Sequence, residues 1–195
     1  MSHDFFAYIS RMKYIARWSL MRSADAENIQ EHSHMVAVLA HALGLIRREI
    51  FHRDCDANAL AAIALYHDAP EILTGDLPTP IKYHSRSVKA AYDEVEALAA
   101  EKLLSALPEA LRPAYRALLT APEREEEYAL VKAADTLSAY VKCVEERRAG
   151  SREFLSAEAA SRKKLEAMCL PEVDYFLEHF MPGFEKNLDE LGTLE

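Results

Sequence analysis

The side chains with chemical reach gather in one short stretch. Segment 60–73, LAAIALYHDAPEIL, is apolar until His67-Asp68, and Glu71 closes the group. On a continuous helix, His67 and Glu71 stand at i and i+4, and Asp68 and Glu71 at i and i+3, so their side chains share a face. An imidazole and two carboxylates at the end of an apolar helix are costly to bury unless something pairs with them. A divalent cation is an economical partner, because it offsets two negative charges and takes up the imidazole lone pair. A helix end facing solvent explains the same residues without a metal, and the His-Asp dipeptide alone does not separate the two.

Two more polar residues stand where apolar ones are expected. His32 opens the amphipathic stretch in ENIQEHSHMVAVLAH and can point inward from its first turn. Asp135 lies in ALVKAADTLSAYV, at the margin of an apolar stripe, where a lone carboxylate needs a partner. His32, His67, Asp68 and Asp135 then offer donors from three helices. Two imidazoles with two carboxylates suit a borderline first-row divalent ion such as Mn, Co or Fe, with Zn, Ni or Mg also open. His34 and His41 lie off the turn that carries His32 and read as surface residues. Lys82 reads as a solvent-exposed lysine, Lys132 as an i, i+3 partner of Asp135, and Arg147-Arg148 as charges suited to a helix C-terminus.

These residues need helices to carry them, and the hydrophobic period is helical almost throughout. The stripes are Phe5, Ile9, Met12 and Ala16; then Met35, Val38, Leu39, Ala42, Leu45 and Ile46; then Leu60, Ile63 and Ala64. Two more follow, Leu130, Val131, Ala134, Leu137, Ser138, Val141 and Val144, and finally Val173, Phe176, Leu177 and Phe180. No alternating run is long enough for a strand. Breaks are expected over 74–84 (TGDLPTPIKYH), at Gly150-Ser151 and at Pro182-Gly183, with Pro108 and Pro113 bracketing a short helix. The EREEE run at 123–127 reads as a solvated, acidic helix start. With 195 residues, 50% of them hydrophobic and 28% charged, and only 5 Gly, the chain reads as one all-α domain over 1–195.

Composition also excludes partners. Lys+Arg 23 against Asp+Glu 32 leaves −9, which argues against a nucleic-acid coat and requires a local cation for any anionic ligand. Cys55, Cys143 and Cys169 are odd in number and far apart, so free thiols in a reducing compartment are expected. The N-terminal MSHDFFAYISRMKYIARW has no signal-peptide pattern, and no apolar run approaches the ~18 residues of a membrane span. A cytoplasmic protein is the expectation.

One His, an adjacent His-Asp and a distant Asp, all on helices, resemble the HD-domain metal-dependent phosphohydrolases, with a metal-site core at about 17–140. Within that superfamily the strings RW at 17–18, ENIQEHS at 27–33, HDAPEILTGDLPTP at 67–80 and KAADTLSAYVKCVEE at 132–146 resemble the bacterial 5'-deoxynucleotidase family, as does the tail VDYFLEHFMPGF. The resemblance implies a single-domain helical bundle of the HD type. It implies a homodimer that uses one divalent ion, Co, Mn or similar, to hydrolyse deoxyribonucleoside 5'-monophosphates to deoxyribonucleosides and phosphate.

Position by position, the resemblance implies metal binding by His32, His67, Asp68 and Asp135, the first and last of which also border the substrate. A metal-activated water attacks phosphorus, and Glu71 takes part in proton transfer through water. Arg17 orients the phosphate, Trp18 lies beside it in the nucleotide pocket, and Asp76, Leu77, Pro78 and Thr79 form a substrate-lining loop. Other readings stand beside this one: an HD-type hydrolase of signalling or cyclic nucleotides, a metal-binding regulatory module without catalysis, or a plain helical interaction protein. Hydrolases of guanosine tetraphosphate usually carry Glu-Asp where this chain has Glu71-Ile72, which counts against that rival.

Overall fold

A computed structural model describes residues 3–82, 84–120 and 125–192, without the side chains of Thr79 and of residues 125–127. Ten α-helices are assigned in that range: α1 (Phe5–Ile9), α2 (Ile29–Leu45), α3 (Ala57–Tyr66), α4 (Glu71–Thr74), α5 (Thr79–Lys82), α6 (Arg86–Ser105), α7 (Arg112–Leu119), α8 (Glu125–Arg148), α9 (Leu155–Ala167) and α10 (Pro171–His179). Among the described residues the one β-type pairing is an isolated antiparallel bridge between Ala16 and Asn28. The chain is a single all-α domain. None of its described helices is long and apolar enough to cross a membrane.

Local chemistry sets the helix starts. Asn28 caps α2 by accepting from the backbone N–H of Gln30 and Glu31, while the Glu31 side chain accepts from the Asn28 N–H. Asp56 caps α3 through the Ala59 N–H at 3.0 Å. The N-cap of α6 is Ser85. Past the end of α8, Gly150 at φ 91 lets the chain turn back into α9.

α2 packs against both α3 and α8, and α8 also packs against α9. Val36, Ala40 and Leu43 of α2 meet Leu60 and Ala64 of α3 and Leu130, Ala134, Leu137 and Val141 of α8. Phe5, Leu103, Leu104, Leu107 and Leu119 form a second apolar cluster around Ala69. The tail joins the main core through Val173, Phe176 and Leu177, and Arg47 Nε donates to the fully buried Glu172 at 2.7 Å.

Several expectations need correction. α1 stops at Ile9; a 3-10 turn at Met12–Tyr14 follows, and Ala16 is in the bridge rather than on a helix. On α2 the buried face is the Val36, Ala40, Leu43 side, and Val38 is 51% exposed, because α2 is sandwiched and presents its small residues to its neighbours. α3 ends at Tyr66, so His67 and Glu71 do not share one continuous helix. Pro70 is the cause: it has no N–H, and its ring clashes with the carbonyl four residues back. The chain makes tight turns instead, Ala69 N–H to Tyr66 O at 3.0 Å and Glu71 N–H to Asp68 O at 3.0 Å.

Within 74–84, the helical turn α5 interrupts the expected loop, with Pro80 tolerated in its first turn. Pro108 and Pro113 do bracket a short helix, the 3-10 turn Glu109–Leu111, and Pro113 also lies inside the first turn of α7. Pro182-Gly183 sits in a 3-10 turn, Met181–Glu185, and Phe180 is 49% exposed. The acidic run at 123–127 lies outside the described residues and side chains.

Gly44 marks the closest approach of α2 and α3. A Cβ there would stand 2.8 Å from Ala57 Cβ and 2.9 Å from Ala57 Cα. Backbone cannot yield as a side-chain tip can, so Gly44→Ala must push α3 away. Overpacking of this kind costs about 1–3 kcal/mol, more than the ~1 kcal/mol of helix propensity that alanine contributes. Urea unfolding of Gly44→Ala is expected to show a net loss of stability, and a gain would disprove the close-contact argument.

Candidate active site

Three helices and one turn deliver the site. His32 comes from the first turn of α2 and is fully buried. His67 and Asp68 follow the end of α3, and Asp135 projects from the middle of α8. His32, His67 and Asp135 each place one donor atom so that all three lie within 4.8 Å of one another. His32 Nε2 is 3.1 Å from Asp135 Oδ1 and 3.6 Å from Asp68 Oδ2. His67 Nε2 is 3.2 Å from the same Asp68 oxygen. Asp135 is the open side of the group, with 40% of its side chain exposed.

The outer nitrogens of both imidazoles are engaged. His67 Nδ1 donates to Ala64 O at 2.7 Å, and His32 Nδ1 contacts Ser138 Oγ at 3.2 Å. With Nδ1 held in this way, each Nε2 points inward, where a bound ion would replace the proton that now faces the carboxylates. His67 Nε2 is buried and, despite its closeness to Asp68, makes no hydrogen bond. An orphaned buried nitrogen between two carboxylates and a second imidazole fits a divalent cation.

The electrostatics agree with that fit. Burial opposes a charge on His67, but the Asp68 carboxylate and, further off, Asp135 overcome it and raise the imidazole to about 9. Burial likewise opposes ionisation of Asp68, yet His67 and His32 hold it down at about 2. Asp135 is also lowered, against its burial, by the His32 hydrogen bond and charge. The cluster attracts positive charge strongly enough to keep a proton on His67 at neutral pH.

Glu71 opens α4 and is 7% exposed. Burial, reinforced by the negative charges of Asp68 and Asp76, pushes its carboxyl up to about 9, while Lys82 and Arg17 pull the other way. Asp76 sits in the 75–78 loop and is raised by burial and by Asp68, against the charges of Arg17, His32 and Lys82. That loop is tied to α6: Thr74 Oγ1 and Tyr92 Oη both donate to Gly75 O, at 3.1 and 3.3 Å. Leu77 and Pro78 of the loop are half-buried; the Thr79 side chain lies outside the described ones.

Arg17 and Trp18 lie in the segment before α2, and the charge of Arg17 acts on Asp76, Glu71 and Asp135. Arg17 N–H donates to Glu27 O at 2.9 Å, which zips the segment to the strand-like approach to α2. Trp18 adopts φ 57, a conformation that costs a non-glycine residue about 1–3 kcal/mol unless its surroundings hold it. Here the indole N–H donates to Glu27 Oε2 at 2.9 Å and the ring lies 5.3 Å from Phe154.

Of the other polar residues, the histidines and Arg147-Arg148 fall as expected and the two lysines do not. His34 is exposed, and His41 is partly so. Lys82 is not a free surface lysine: it pairs with Glu96 at 3.0 Å and its Nζ stands over the Tyr92 ring. Lys132 lies over Tyr128, and Arg147 pairs with Glu158 and Glu185. Sequence reasoning missed Ser138 as a partner of His32, although a hydroxyl in an apolar stripe was the available signal. It also missed Glu27, for which spacing offers no signal, because a bend at Trp18 creates the contact.

Comparison with known proteins adds the family. Residues 4–184 match the family described as 5'-deoxynucleotidase YfbR-like. A curated relative from Yersinia pestis strain Pestoides F, named 5'-deoxynucleotidase, is 48% identical over 193 residues, 98% of each chain. A relative of the same name from Yersinia pseudotuberculosis serotype O:3 strain YPIII matches equally well. Among solved structures, an HD-domain phosphohydrolase from Listeria innocua superposes with a TM-score of 0.81 at 24% identity, covering 93% of this chain and 88% of the other. The HD phosphohydrolase DatZ of cyanophage S-2L, described as bound to dA and one catalytic Zn2+ ion, superposes with a TM-score of 0.69 at 22% identity over 93% of this chain and 96% of the other. The chain belongs to the YfbR-like 5'-deoxynucleotidase family.

Proposed function

We propose that this protein is a metal-dependent 5'-deoxynucleotidase that hydrolyses deoxyribonucleoside 5'-monophosphates to deoxyribonucleosides and phosphate. One observation carries the reading: His32, His67, Asp68 and Asp135 converge from separate elements, beside the buried Glu71. These four side chains would hold a first-row divalent ion, Co, Mn or similar. When bound, the ion lowers the pKa of a coordinated water and neutralises phosphate charge.

The chain's own groups do the rest. The Arg17 fork binds two phosphate oxygens and sets the phosphorus in line. Glu71 holds or removes the proton of the attacking water, or delivers one to the 5'-oxygen as the P–O5' bond breaks. Its carboxyl, pushed up to about 9 by burial in the metal-free chain, suits delivery of a proton at neutral pH, and taking one would need the bound ion's charge to bring it down. Trp18 forms a flat wall beside the sugar, where a 2'-hydroxyl would be crowded or left unpaired. Asp76, Leu77 and Pro78 close the sugar side. Position 72 is apolar: Ile72 packs against the Phe5 cluster, which leaves no second carboxylate for a guanosine tetraphosphate hydrolase.

The reading extends to a homodimer in the cytoplasm with a metal core at about 17–140. The buried thiol of Cys143 suits a reducing compartment.

Glu71→Ala is expected to retain metal and nucleotide binding while kcat falls by about 10^2-fold or more, measured as phosphate release; wild-type-like turnover would remove Glu71 from the mechanism. Trp18→Ala should narrow the deoxy/ribo rate ratio by about ten- to hundredfold, since an unpaired buried hydroxyl is worth about 1–3 kcal/mol. An unchanged ratio defeats the wall. Chelation should abolish activity and added Mn or Co restore it. Because His67 is protonated in the metal-free chain at pH 7, metal binding should release about one proton per ion in weakly buffered solution. Full activity in excess chelator would end the metal reading.

A further inference from the structure

Arg17 and Trp18 are adjacent in sequence but have different tasks, and one carboxylate joins them. Glu27 Oε2 accepts from Arg17 Nη1 at 3.0 Å and from Trp18 Nε1 at 2.9 Å. The guanidinium also lies 5.7 Å from the indole ring. All three groups are largely enclosed: the Arg17 and Glu27 side chains are 13% and 14% exposed. Glu27 engages one Arg17 nitrogen and leaves the others to meet an anion. The charge of Arg17 reaches Asp76, Glu71 and Asp135, which sets the Arg17–Glu27 pair close to the site.

Glu27 is itself fixed. The Ala16–Asn28 bridge and the Arg17 N–H to Glu27 O bond align its backbone with that of Arg17. The intervening loop is clamped to α8: Glu146 accepts from the N–H groups of Ala24 and Asp25 at 2.7 and 3.2 Å, and Lys142 Nζ donates to Asp25 O at 2.6 Å. Lys142 and Glu146 are both buried and paired with each other at 2.7 Å. They stand on the helix that carries Asp135. The hairpin and the metal-binding cluster therefore share one rigid support.

We infer that Glu27 is a positioning residue that sets the phosphate-binding fork of Arg17 and the sugar wall of Trp18 as one unit, so that anion binding and sugar selectivity depend on the same carboxylate. The inference rests on the deoxynucleotidase reading for its kinetic consequences, but its structural half stands without it. Loss of the carboxylate frees both the guanidinium and the indole. Replacement by glutamine keeps an acceptor for the indole N–H and removes only the charge that anchors Arg17.

Trp18 is the chain's single tryptophan, so its fluorescence reports this site alone. The experiment compares wild type, Glu27→Ala and Glu27→Gln by acrylamide quenching in the metal-free, nucleotide-free chain, and by kcat and KM for a deoxy- and a ribonucleoside 5'-monophosphate of the same base. Circular dichroism checks the fold. Glu27→Ala is expected to become severalfold more quenchable, to lose about tenfold in kcat/KM mainly through KM, and to narrow the deoxy/ribo ratio. Glu27→Gln should keep wild-type quenching and ratio while KM rises a few-fold. Unchanged quenching in a folded Glu27→Ala chain overturns the proposal. If that variant loses its helical spectrum, Glu27→Gln decides: a wild-type KM overturns it. Failure of the wild-type chain to hydrolyse any deoxynucleotide sinks the deoxynucleotidase reading instead, and the quenching arm still judges the tether.

Discussion

The fold is organised around a charge problem. Asp68 and Asp135 are held ionised within reach of each other, and two like charges so close call for positive charge nearby. His67 supplies it in part, and both imidazoles are anchored by the outer nitrogen, His67 on the Ala64 carbonyl and His32 on the Ser138 hydroxyl. Because these groups come from α2, the end of α3 and α8, the three elements must approach closely. Small residues allow it: Gly44 lies against Ala57, while Ala40, Ala64 and Ala134 sit in the shared core. Close packing of backbones thus serves the chemistry as well as stability.

The break after α3 solves a second geometric problem. If the helix continued, His67 and Glu71 would stack one turn apart on one face. Pro70 ends it, and after the tight turns a new helix starts at Glu71. Glu71 can then be buried beside the cluster rather than within it, which is where a proton carrier differs from a metal ligand. The apolar side of the same turn is used too, since Ala69 and Ile72 pack into the Phe5 cluster. A few residues join a chemical face to a structural one.

Much of this was legible in the sequence. The helical periodicity around α8 and α10 marked true core positions, and polar residues out of place in apolar stripes pointed to His32, His67, Asp68 and Asp135. Less legible was anything decided by three-dimensional crowding. On α2, periodicity alone could not choose between the Val36 and Val38 faces, because both are apolar and only sandwiching between α3 and α8 selects the one with small residues. Lys82 read as a surface lysine because its partner Glu96 and the Tyr92 ring belong to α6, beyond a loop. Glu27 carried no local signature at all, since its role arises from the left-handed backbone at Trp18.

A chain with net charge −9 that binds a nucleotide monophosphate must still meet an anion. The overall charge matters less than it first suggests, because at physiological salt the screening length is about 8 Å and distant carboxylates are largely masked. What decides is the field inside the pocket, where screening is weak. There the carboxylates of Asp68, Asp76 and Asp135 would repel a phosphate, against Arg17, Lys82 and the histidines. Lys82 and Arg17 are each partly committed to a carboxylate, Glu96 and Glu27, so neither is a free charge in search of a ligand. Such pairing lowers the net attraction, yet it fixes direction: an arginine tethered at one nitrogen presents the rest of its fork at a set angle. Orientation gained in this way counts in the transition state, whereas loose positive charge would tighten substrate and transition state alike.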